Sequence, residues 1–182
     1  MTAVQFLRKM RGAGHGSPPR VGGAEIAWSW FGAFVGIAAV GLVAQLVLAG
    51  LDLTLMLGSL GASAVLVYGM PRSPLAQPRN LIGGHVLSAV VGVLCWRLLH
   101  PFPWLAAALA VSTSLALMHA TRTLHPPGGA TALIAVIGSR EIHAMGWLYV
   151  VVPGALGPLI LLAVALVVNN LPASRHYPET WW

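Results

Sequence analysis

Two short stretches of this chain hold a hydroxyl group in the same setting: Gly61-Ala62-Ser63-Ala64 and Gly129-Ala130-Thr131-Ala132. In each, one Ser or Thr sits among the smallest residues and aliphatic residues follow. The second stretch is approached through His125-Pro126-Pro127-Gly128, where two prolines stop any helix arriving from the preceding side. A helix beginning at such a stretch exposes N–H groups without acceptors, together with roughly half a positive charge. Glycine and alanine leave those donors uncovered, and a low-dielectric surrounding strengthens their pull on a small anion. Ser63 and Thr131 add hydroxyls at matching positions. The candidate substrate-binding residues are therefore Gly61, Ala62, Ser63, His125, Pro126, Pro127, Gly128, Gly129, Ala130 and Thr131. The same small residues, like Gly36, Gly41, Gly83, Gly84, Gly92, Gly154 and Gly157, also suit close packing of helices. The two readings are compatible.

Other polar residues punctuate the apolar map. His85 follows Gly83-Gly84 at the start of a long apolar stretch and is a candidate pore-lining or proton-carrying group. Arg79 and Asn80, in SPLAQPRN, sit where a loop enters that stretch and could gather anions at its mouth. His119 is a further candidate proton carrier, but six residues from His125 it is too loosely spaced for a convincing metal pair. With Cys95 the only cysteine, a disulfide or a cysteine-based metal site is excluded within the chain. No metal and no other cofactor is expected. Asn169 and Asn170 suit a helix C-cap as well as a site, and the closing YPETWW suits a belt of interfacial aromatics. None of the four acids, Glu25, Asp52, Glu141 and Glu179, lies centrally in an apolar stretch, which disfavours cation transport and carboxylate proton relays.

The elements that must position these residues are membrane helices. The chain is 57% hydrophobic and 8% charged, with a mean hydropathy of +0.80, whereas a soluble domain carries roughly 25% charged residues. Residues 1–24 form a basic tail, and 25–182 read as one transmembrane domain. Apolar segments run over about 26–49, 53–70, 81–99, 103–121, 129–138 and 146–168. A full crossing takes ~20 residues, so four segments are long enough and the two carrying Ser63 and Thr131 are short or broken. Helices of ten residues from Gly61 and from Gly129 would each cover ~15 Å, half the hydrocarbon core. No cleavable signal peptide is expected.

The fold class that follows is an all-α integral membrane protein, a helical bundle of about six hydrophobic segments. The doubled element predicts two halves of three segments. With the N-terminus cytoplasmic, eight of the ten basic residues fall inside and only Arg97 and Arg140 outside. Three crossings per half make the second half inverted, a plan recurrent among secondary transporters. A rival count keeps four spanning helices and treats the two short segments as surface or core pieces. The net charge of +6 reads as anchoring to anionic lipid, with no nucleic-acid footprint.

HPPGGATAL at 125–133, with GASAVL at 61–66, SPLAQPRN at 73–80 and GGH at 83–85, resembles the HPP family of integral membrane proteins. NNL at 169–171 and the closing YP and WW are similar to it as well. The resemblance covers the chain from about residue 26 onward. It implies a transporter of small anions, with nitrite the best single substrate, although family members are usually described with four transmembrane helices. No enzymatic activity is expected. Further expectations are a homodimer or higher homo-oligomer, membrane lipid as the surrounding partner, and a bacterial inner membrane as location. Two alternatives stay open: a non-transporting membrane scaffold, and an intramembrane serine protease using a Ser63–His85 dyad. The last is similar to rhomboid-type proteases at Gly61-Ala62-Ser63-Ala64 but has only one helix before the serine.

Overall fold

The computed structural model describes residues 2–10, 17, 19–47 and 54–182, and every regular element among them is helical. A short α1 (Ala3–Lys9) lies in the basic tail. Then come α2 (Gly23–Val47), α3 (Thr54–Gly69), α4 (Pro78–Leu99), α5 (Pro103–Thr121) and α6 (Pro126–Ile137). The chain closes with α7 (Arg140–Met145), α8 (Leu148–Val151) and α9 (Gly157–Val168). Proline opens α4, α5 and α6. That is the position where a missing N–H costs nothing and the fixed φ favours the first turn. Pro153 lies in a π-helical segment, Val152–Leu156, that joins α8 to α9. The lost proline donor accounts for the widened turn there.

Four helical stretches are long and apolar enough to cross a membrane: Gly23–Leu46, Pro78–Leu99, Pro103–Thr121 and Leu148–Val168. Two apolar pieces, Gly58–Gly69 and Pro126–Ile137, are shorter. Their order, long, short, long, occurs twice. Leucines and aromatics such as Trp30, Leu98 and Trp104 face outward, as lipid-facing side chains do. This is an integral membrane protein.

One expectation needs correction. α3 starts at Thr54, so Gly61 is interior to the helix and not its first residue. Leu57, Gly58 and Leu60 carry no backbone breaker stronger than a single glycine, and apolar surroundings keep every backbone donor inside the helix. The amides of Gly61, Ala62 and Ser63 are therefore committed to the helix and do not form an open cradle.

The main packed pairs are α4 with α5 and α6, α5 with α6, α2 with α3 and α9, α3 with α6 and α9, and α4 with α9. Exchanging α2 with α5, α3 with α6 and α4 with α9 leaves that set unchanged. The two short helices meet each other at the centre. Apolar residues of α2, α3 and α9 form one core around Tyr68, and α4, α5 and α6 close around Ala106, Ala110, Ala132 and Val136.

The last turn of α9 is locked from the tail. Asn169 caps it, donates to the Val67 carbonyl at 3.1 Å and accepts from Arg175 at 2.9 Å. Arg175 is paired with Glu25 at 2.6 Å and also holds Ser29. Asn169 thus serves as a cap, one of its two readings from sequence. Tyr177 departs from the expected interfacial belt. It is buried, its hydroxyl donates to the Ala76 carbonyl at 2.8 Å, and burial pushes its phenol up from the ordinary value. Trp181 and Trp182 do remain exposed.

Candidate functional site

The matching hydroxyls converge on one imidazole. Ser63 of α3 lies 2.7 Å from Nε2 of His85, and Thr131 of α6 lies 2.7 Å from Nδ1 of the same ring. Ser63 Oγ also lies 2.9 Å from Nε2 of His125, whose Nδ1 is 2.8 Å from the Leu75 carbonyl oxygen. Ser63, His85 and His125 are fully buried and Thr131 is 1% exposed. Five hydrogen-bonding groups thus form one unbroken line through the middle of the bundle.

Close helix contact makes this possible. A Cβ on Gly128 would stand 2.7 Å from the Gly84 carbonyl oxygen, and one on Gly84 would stand 2.6 Å from the Cβ of His125. Bare backbone on both sides brings α4 against the start of α6, which carries the His85 ring between Ser63 and Thr131. Arg79 donates to the Thr121 carbonyl at 2.6 Å and Asn80 to the Leu124 carbonyl at 2.8 Å, bracing the loop that delivers His125. Tyr149 of α8 donates to the Thr131 carbonyl at 2.8 Å and steadies the other end.

Hydrogen-bond stoichiometry assigns the protons. The Leu75 carbonyl can only accept, so His125 carries its hydrogen on Nδ1 and, as a neutral ring, accepts at Nε2. The single Ser63 hydrogen is donated there. His85 must then donate from Nε2 to Ser63 and accept at Nδ1 from the Thr131 hydroxyl. No arginine, lysine or carboxylate is hydrogen-bonded to any of the four side chains among the described residues, so two neutral rings satisfy the cluster without a buried unpaired charge.

The start of α6 is poor in the amide donors expected of it. Pro126 and Pro127 have no N–H, and Gly128 donates its own to the His125 carbonyl at 2.8 Å. Side-chain groups, not backbone amides, supply the polarity of this site. Of the sequence candidates, Ser63, His85, His125 and Thr131 come together, with Pro127 and Gly128 buried beside them. Gly61, Gly129 and Ala130 are half-buried, whereas Ala62 and Pro126 are exposed. His119 is exposed on α5 and has no bond to the cluster. Among the described residues no group of three metal-ligating side chains occurs, and Cys95 is half-buried in α4.

Two hollows lie along α4, one lined by residues before His85 and one by residues after it. A 600 Å³ cleft is lined by Arg79, Gly83, Thr121, Thr123 and the two C-terminal tryptophans, next to the Gly84–His125 contact. Toward the opposite end of α4, an 80 Å³ cavity is lined by Trp96, Arg97, His143, Gly146 and Tyr149. There His143 stacks on Trp96 at 3.7 Å and the Arg97 guanidinium stands over Trp147. Nothing in the sequence marked Tyr149 as the link between this cavity and Thr131.

The chain as a whole is similar to known proteins. The model of the HPP transmembrane region matches residues 18–178. The chain belongs to the HPP family. Two transmembrane proteins of Dictyostelium discoideum are similar to it, one 46% identical over 98% of the chain and one 45% identical over all of it. The chain spans 58% and 65% of the length of these two relatives. No solved structure matches. Within this HPP domain the His125-Pro126-Pro127 triplet has a physical role: the prolines start α6 without donors, and the histidine before them turns into the core.

Proposed function

We propose that this HPP protein carries a small inorganic anion across the membrane, with nitrite the leading candidate, along the face of α4 that links the Arg79 cleft to the Arg97 cavity. One observation carries the reading: a fully buried, uncharged line of hydroxyl and imidazole groups lies between two arginine-bearing hollows in an otherwise apolar bundle. Such polarity in a membrane core is costly to maintain and marks a pathway. Nitrite is small and planar, and its oxygens accept hydrogen bonds of the kind that Ser63, Thr131 and the imidazoles donate. The symmetric set of helix contacts supports an inverted three-plus-three repeat, with α3 and α6 as its paired short elements. The basic tail favours a cytoplasmic N-terminus, in a bacterial inner membrane. The exposed Gly58, Ala62 and Gly69 on α3 leave room for close approach of a second copy in a homo-oligomer.

A second reading rests on the Ser63–His85 contact, which has the geometry of a nucleophile and its base. It carries less. Ser63 is fully buried, away from any substrate, and its hydrogen is already donated to His125. A scaffold role would leave the cluster without a task.

Proteoliposomes containing the purified chain test the proposal by uptake of nitrite, nitrate, formate and chloride. The expected result is saturable nitrite uptake, reduced at least ~10-fold by Thr131→Val, the loss of one hydrogen bond at a transition state. Correctly inserted protein that moves none of the four anions would instead favour the scaffold.

A further inference from the structure

Building on the transport reading, we infer that the Ser63 hydroxyl passes a proton between His85 and His125, so that each anion crosses together with one proton. The resting hydrogen bonds all point one way: Thr131 O–H to His85 Nδ1, His85 Nε2–H to Ser63, Ser63 O–H to His125 Nε2, His125 Nδ1–H to the Leu75 carbonyl. A proton arriving on Nδ1 of His85 makes that ring an imidazolium. Its Nε2–H bond then breaks as a new bond forms to Ser63 Oγ. The original Ser63 hydrogen moves to Nε2 of His125. His85 ends neutral with its hydrogen now on Nδ1, Ser63 keeps one hydrogen and His125 holds the positive charge, so one proton has moved and His85 has changed tautomer. The reset must return the His85 hydrogen from Nδ1 to Nε2 and turn both hydroxyls back. Ser63 has a second acceptor in the Ser59 carbonyl at 3.1 Å, and Thr131 has one in the Pro127 carbonyl at 3.5 Å.

The surroundings suit such a transfer. The ring centroids of His85 and His125 are 5.1 Å apart, which one hydroxyl oxygen bridges. From α3 the pair meets Ser63, and from α6 it meets Thr131. Met118 of α5 and the Leu75 carbonyl beside α4 bear no charge. Tyr149 of α8 approaches only through the Thr131 carbonyl, and no ionisable side chain of the π segment or of α9 lies on the cluster. A proton on this line has no buried counter-ion to trap it. The travelling anion is the partner of opposite charge.

Coupling one proton to one monovalent anion makes transport electroneutral. Proteoliposomes with the full chain therefore receive nitrite under two separate forces, a one-unit pH step and a potassium diffusion potential of ~100 mV, with entry into protein-free vesicles subtracted. The expected nitrite accumulation is about 10-fold for the pH step and unchanged by the potential, whereas uncoupled nitrite would respond about 50-fold to that potential. Ser63→Ala should abolish the pH-driven accumulation and Ser63→Thr restore it, with both variants checked for unchanged melting. Nitrite uptake that follows potential and ignores pH would overturn the relay and leave the transport reading standing. So would full pH-driven accumulation in Ser63→Ala. Absence of nitrite flux in the inserted wild-type protein would overturn the transport reading itself, and the relay with it.

Discussion

The α3–α9 contact and the α6–α4 contact trade places when α3 is exchanged with α6 and α4 with α9, yet they are filled in opposite ways. Leu60, three residues before Ser63, presses its side chain onto Gly157, where an added Cβ would meet Leu60 Cδ1 at 2.6 Å. Gly128, three residues before Thr131, presents bare backbone to Gly84. The residues that follow differ as well: Pro158 after Gly157, His85 after Gly84. The α3–α9 contact is thus plugged with a flexible apolar side chain. The other draws two backbones together and admits an imidazole. One helical frame therefore supports an apolar seal on one side and a polar relay on the other, and the difference lies in a few side chains.

The widest gap between the halves should appear when each contact is given a methyl group. Gly128→Ala drives a Cβ against a carbonyl oxygen that cannot turn away, so a loss of roughly 2–3 kcal/mol is expected in denaturant titration of the detergent-solubilised protein. Gly157→Ala meets the end of a flexible leucine and should cost less than about 1 kcal/mol. Equal losses would erase the contrast.

A smaller effect separates the two buried tyrosines. Tyr68 donates to the Leu161 carbonyl at 3.0 Å in the sealed half, and Tyr149 donates to the Thr131 carbonyl in the polar half. Each Tyr→Phe change should lower stability by about 1 kcal/mol, one net hydrogen bond. Only Tyr149→Phe should also slow anion uptake. Slower uptake in both, or in neither, would show that the Tyr149 link does not matter to the site.

Smallest of all should be Gly61→Ala and Gly129→Ala. Nothing stands within 4 Å of a Cβ on Gly61, and on Gly129 only Val111 does, at 3.9 Å. Melting within about 1 kcal/mol of wild type is expected, because alanine also favours the helix. A large loss at either glycine would mean that its open side is occupied in the membrane.

Much of this was readable in advance. Apolar runs of ~20 residues have one stable form in lipid, so the long helices and the two short ones followed from composition and length. Pro126 and Pro127 marked the break before α6. The matched Ser63 and Thr131, and the His85 of GGH, proved to be neighbours in one buried cluster. What sequence could not convey was direction: whether a hydroxyl faces out, toward amides, or toward a ring depends on packing from three helices. Gly61 looked like a helix start because glycine weakens helices in water, but in lipid the backbone has no other partner for its N–H. The paired prolines looked like part of a donor cradle, whereas their missing N–H groups empty it. Arg175, 150 residues from Glu25, showed no local sign of its partner.

The oriented hydrogen-bond line is the centre of the account, and the ring nitrogens report it directly. Nitrogen-15 magnetic resonance of histidine-labelled protein in bilayers, assigned with His85→Asn and His125→Asn, would read each tautomer at neutral pH. Two neutral rings of opposite tautomer are expected, His125 with its hydrogen on Nδ1 and His85 with its hydrogen on Nε2. The same tautomer on both rings, or a resting imidazolium at either one, would contradict it.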